Sequence, residues 1–77
     1  MEFVEIRLSD PAFVPSLLAA LRSDASTVAR CTADATIEAT LLGSYRPATM
    51  RTILAMRVWE WQVEQAAVGH DVTANLT

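Results

Sequence analysis

Apolar and polar residues alternate from Phe3 to Leu8, with Val4, Ile6 and Leu8 on one side and Phe3, Glu5 and Arg7 on the other. A period of two marks a half-buried strand. Ser9-Asp10-Pro11 ends it, since Asp10 suits a helix N-cap and Pro11 a first helical position. Val14, Leu17, Leu18 and Leu21 then recur at helical spacing beside Phe13, up to residues 22–24. In a helix begun at Pro11, Pro15 would clash with the Pro11 carbonyl, so the regular helix is expected nearer Pro15, after one tight turn. Residues 27–32, half of them β-branched, read as a strand with either Ala29 and Cys31 or Val28 and Arg30 inward, the first being the one expected. After a turn at Ala33-Asp34, Ile37, Ala39 and Leu41 alternate with Thr36, Glu38 and Thr40 as far as Gly43. Near the end of the sequence Val72, Ala74 and Leu76 alternate with Thr73, Asn75 and Thr77.

Between these lies residues 47–68, a stretch without glycine that opens on Pro47 and is followed at once by Gly69. Those are the start and stop signals of one helix, roughly 33 Å long at 1.5 Å per residue. At ~100° per residue it carries two apolar stripes on nearly opposite sides. Thr52, Ala55, Met56, Trp59, Val63, Ala66 and Ala67 make one; Met50, Leu54, Val58, Trp61 and Val68 make the other. Arg57, Glu60 and Glu64 lie along one edge between them, Arg51 and Gln62 along the other. A helix covering a sheet needs a single stripe. The second, Met50, Leu54, Val58, Trp61 and Val68, is either core against a neighbouring helix of the same chain or a surface that meets another chain; the second alternative is the one expected, with Trp61 as its anchor.

The element order strand, helix, strand, strand, helix, strand predicts an α+β fold of the ferredoxin-like βαββαβ type in one domain, residues 1–77. Right-handed crossovers would put the first and third strands at the centre of a four-stranded antiparallel sheet, with both helices on one face. The other face would carry Phe3, Glu5, Arg7, Thr36, Glu38, Thr40, Thr73 and Asn75, a polar surface with an Arg7–Glu38 cross-strand pair.

Composition narrows the chemistry. Seventy-seven residues bury only roughly 60% of their unfolded surface, and small domains gain from disulfides, metals or self-association. Cys31 is the single cysteine and His70 the single histidine, so neither a disulfide within the chain nor a metal is expected, and no cofactor is implied. A net charge of −3 and the absence of lysine speak against nucleic acid. The acidic, alternating opening residues do not read as a signal peptide and no apolar run approaches ~20 residues, so a cytoplasmic protein without membrane contact is expected.

The chemistries hosted by this topology find little here. Stacking aromatics and basic residues on the central strands, as in RNA-recognition domains, are absent apart from Phe3. The first strand–helix loop, Leu8-Ser9-Asp10-Pro11, has neither the CxxC of heavy-metal-binding domains nor the phosphate cradle of acylphosphatases. It also lacks the glycine of amino-acid-binding regulatory domains. His70 beside Asp71 fits a helix end better than catalysis, Cys31 fits a buried core site, and Arg57 three residues before Glu60 fits a surface ion pair.

Met56-Arg57-Val58-Trp59-Glu60 resembles the leucine-arginine-x-tryptophan-glutamate pattern of small proteins of the same strand–helix order from high-GC bacteria. The resemblance implies the βαββαβ fold and no known activity. The leading expectation is a protein-binding domain, paired with itself as a homodimer or docked on another protein, and not an enzyme. The rival is an enzymatic or ligand-binding dimer whose sheet faces enclose Phe3, Glu5, Arg7 and Glu38.

Overall fold

A computed structural model of the chain describes residues 2–77. Strand β1 (Val4–Leu8) is followed by a single 3-10 turn, Pro11–Phe13, and helix α1 (Val14–Arg22). Strands β2 (Thr27–Ala33) and β3 (Thr36–Leu41) form a hairpin, helix α2 (Pro47–Ala67) crosses back, and β4 (Ala74–Leu76) completes the sheet. All neighbours are antiparallel and their order is β2-β3-β1-β4, with the first and third strands central.

The double-proline entry to α1 resolves as its chemistry requires. The Asp10 carboxylate accepts from Ala12 N–H at 2.9 Å and caps the 3-10 turn. The α-helix then starts afresh at Val14, which leaves Pro15 in the first turn, where its missing N–H is no loss. Helix α2 ends in a Schellman motif: Gly69 N–H donates to the Ala66 carbonyl at 3.1 Å and His70 N–H to the Gln65 carbonyl at 2.9 Å. Gly69 takes φ +84°, which favours glycine.

One cluster of buried side chains fills the space between the sheet and both helices. Val4, Ile6 and Leu8 of β1, Ile37, Ala39 and Leu41 of β3, Ala29 of β2 and Ala74 of β4 face it from the sheet. Val14, Leu17 and Leu21 of α1 meet them from above, as do Met50, Leu54, Val58 and Trp61 of α2.

Three sheet expectations need correction. Cys31 is exposed rather than buried: β2 is covered only over its first half, at Thr27 and Ala29, and beyond that the edge strand runs clear of the helices. Its Sγ lies 3.0 Å from the Ala33 carbonyl. Thr40 is buried at 1% exposure, its hydroxyl donating to Met50 Sδ at 3.2 Å. Arg7 does not pair with Glu38. The register sets Glu5 directly opposite Glu38 and Arg7 opposite Thr36. Two carboxylates facing each other repel, and each recruits its own arginine. Arg7 Nε donates to Glu5 at 2.7 Å, and Arg30 Nη2 to Glu38 at 3.3 Å while its guanidinium lies 4.5 Å from the Phe3 ring centre.

A candidate interaction surface on the long helix

Helix α2 carries two apolar stripes, and the fold takes the one that the sequence reading assigned to a partner. Met50, Leu54, Val58 and Trp61 are 6%, 0%, 1% and 3% exposed, enclosed by their own chain. This overturns the expected interface at four of its five positions. Spacing explains the choice: residues 50, 54, 58 and 61 put four bulky apolar side chains in one row, whereas the opposite row mixes in threonine and alanine. Trp61 is further fixed by a 3.0 Å hydrogen bond from Nε1 to Ser16 Oγ and by Phe13, edge-on with ring centres 6.4 Å apart. Val68, the fifth position, is 68% exposed. Trp61 is the last fully buried residue of the helix.

The long polar residues beside the buried row reach down to the sheet and the turns. Gln62 and Arg51 bond the backbone of β4 and Thr77. Arg57 pairs with Asp24 and donates to Thr27 Oγ1, not with Glu60 as its spacing had suggested. Asp24 also accepts from Ser26 N–H at 2.9 Å and Ser26 Oγ at 2.8 Å. These bonds and the Arg57 guanidinium hold the Asp24 carboxyl below the usual aspartate range.

Among the described residues, none covers the outward row. Trp59 is 64% exposed, Met56 60% and Val63 47%. Ala48, Thr52 and Ala66 lie exposed on the same side, with Ala55 half-buried. No charge interrupts this row between Arg51 on one flank and Glu60 and Glu64 on the other. Arg51, Thr52, Ala55, Met56 and Trp59 line a shallow hollow of about 500 Å³ on it.

Elsewhere the surface offers less. A groove of about 420 Å³ between α1 and α2 is lined by Asp24, Arg57, Glu60, Trp61 and Glu64, with Asp24 and Arg57 already bonded to each other. A hollow of about 340 Å³ beside the β3–α2 loop holds Tyr45, which packs against Gly43. Glu5 and Glu38 face each other across β1 and β3 and each carboxylate is paired to an arginine, Arg7 and Arg30, with Phe3 beneath the Arg30 guanidinium. His70 sits at the end of α2, Nδ1 2.7 Å from Gln65 Oε1 and its ring 5.1 Å from that of Phe13. Among the described residues no buried side-chain polar atom lacks a partner, no three metal-ligating side chains cluster, and no helix is long and apolar enough to cross a membrane.

Comparison with known protein families, with curated proteins and with solved structures returns no match.

Proposed function

We propose that the chain is a protein-binding domain that pairs with a second copy of itself through the outer row of α2. The observation that carries this reading is Trp59. An indole 64% exposed, between Met56 and Val63 on a row without charge, is the kind of residue that anchors protein contacts. The row is self-complementary. Two α2 helices crossing antiparallel about a two-fold axis bring the Trp59 of each over the small residues Thr52 and Ala55 of the other, and Arg51 at the rim adds a cation for the ring face.

The finer description of the fold belongs to the same proposal. A ferredoxin-like arrangement is supported by the order β2-β3-β1-β4, which read from its other edge is β4-β1-β3-β2, two interleaved βαβ units. A cytoplasmic setting is supported by a single, exposed and unpaired cysteine. The rival, a ligand cavity between two sheet faces, lacks comparable support because Glu5 and Glu38 already spend their charge on Arg7 and Arg30.

Light scattering across micromolar concentrations tests the pairing. The expected result is a mass that climbs from one chain toward two, and a Trp59→Glu variant that stays at one with unchanged circular dichroism. A monomer mass throughout for the unmodified chain sinks the proposal.

A further inference from the structure

Strand β4 is one free edge of the sheet, and its pairing phase tells which backbone groups look outward. Ser9 N–H donates to the Thr73 carbonyl and Thr77 N–H to the Glu5 carbonyl, both at 2.8 Å. Residues 73, 75 and 77 therefore bond toward β1. By the alternation of an antiparallel ladder, Ala74 and Leu76 turn their N–H and C=O groups away from it. Such an edge is a ready template for another strand.

Here the template is occupied by side chains. Ala74 N–H donates to Gln62 Oε1 at 3.1 Å, and Gln62 Nε2 donates to the Ala74 carbonyl at 3.3 Å. One acceptor and one donor, held a peptide's width apart, are what a residue of an adjoining antiparallel strand would present. Arg51, on the same flank of α2, donates from Nη2 to the Leu76 carbonyl at 2.9 Å and from Nη1 to the Thr77 carbonyl at 3.1 Å.

The first half of the opposite edge is capped in a related way. Leu42 N–H donates to the Ser26 carbonyl at 2.7 Å, which fixes Thr27 and Ala29 as the outward residues of β2. Thr27 N–H is taken by the Asp24 carbonyl at 3.0 Å. The Ala29 carbonyl accepts from Arg22 Nε at 3.1 Å and Nη2 at 2.9 Å.

We propose that Gln62 and Arg51 form a clasp that stands in for a fifth strand, and that the β4 edge beneath it is a latent pairing surface for a second copy of this chain. Two β4 strands related by a two-fold axis through Ala74 would each give an N–H to the other's carbonyl. Those are the same two bonds that the Gln62 carboxamide now makes. Gln62 and Arg51 run along one flank of the outer row of α2, and because Arg51 also borders that row, Gln62→Ala is the variant that isolates the clasp.

The test is sedimentation of Gln62→Ala and of Gln62→Ala/Arg51→Ala, each carried in a Trp59→Glu background, with deuterium exchange at the Ala74 amide. Trp59→Glu alone is expected to be monomeric with a protected Ala74 amide; if it still pairs, the earlier reading of Trp59 as the anchor fails without touching this one. The clasp variants are expected to associate, with an association constant raised about tenfold or more for the bonds released, and Gln62→Glu, which keeps the acceptor and loses the donor, to fall between. In dilute clasp variants the Ala74 amide should exchange faster than in the parent. Natively folded clasp variants that remain monomeric to millimolar concentration overturn the proposal. Should the double variant unfold, the single Gln62→Ala decides alone: a monomer whose Ala74 amide is as protected as before refutes the clasp.

Discussion

Trp59 and Trp61 are two residues apart and live in opposite surroundings, since ~200° separates them around a helix. Trp61 is enclosed and hydrogen-bonded to Ser16, whereas Trp59 stands in solvent. Iodide should therefore quench one tryptophan emission and spare the other, and Trp59→Phe should remove the quenchable part. Trp61→Ala is then a stability variant and not an assembly variant. Emptying a buried tryptophan site costs about 3–5 kcal/mol, a large share of what a small domain has, so urea unfolding should move to much lower concentration or vanish. Asp24 supplies a pH dependence of known sign. Its carboxyl titrates below the usual aspartate range in the folded chain because Ser26 and Arg57 hold it charged. A group whose folded value is depressed gives stability that is complete above its unfolded value, about 3.9, and is lost as pH falls through the folded value. Stability should thus decline below about pH 4, and Asp24→Asn should flatten that decline.

At the scale of elements, much of this chain could be read in advance, and what could not has a physical reason. The turn before α1 follows from Pro11 and Pro15, the long helix from Pro47 and Gly69, and the central strands from their alternation. The faces of α2 were legible as two rows, but not which row the sheet would take. Periodicity counts apolar positions, whereas burial is decided by bulk and by neighbours. The usable signal was the flanks: Gln62, Arg51 and Arg57 carry bonding groups that reach the sheet and turns beside residues 50–61. The fate of Cys31 was hidden because a strand's alternation does not say where the covering helix stops. Nor does alternation give register, which put Glu5 against Glu38, so that Arg7 pairs with Glu5 and Arg30 with Glu38. The end of α2 is open to a direct check. An alanine at Gly69, where φ is +84°, strains the Schellman turn, and Gly69→Ala should lower stability by about 1 kcal/mol with the fold kept, measurable by thermal melting.

For the whole molecule, the balance between core and surface decides how strongly two copies could hold together. Helix α2 has 21 residues, so its outer row is ~31 Å long and about 10 Å wide, some 300 Å² of face. Stable, specific interfaces cover about 800 Å² on each partner. A pairing through α2 alone is accordingly weak, with dissociation in the micromolar range or above and rapid exchange. The melting temperature reports it without a structural probe, because association stabilises only the folded chain. Above the dissociation constant, each tenfold rise in concentration adds about 1.4 kcal/mol per dimer, or ~0.7 kcal/mol per chain, which for a domain this small moves the melting temperature by roughly 3–6 °C. The slope should flatten below the dissociation constant and disappear in Trp59→Glu. A melting temperature independent of concentration in the unmodified chain would leave the exposed row of α2 as bare surface and not as an interface between copies.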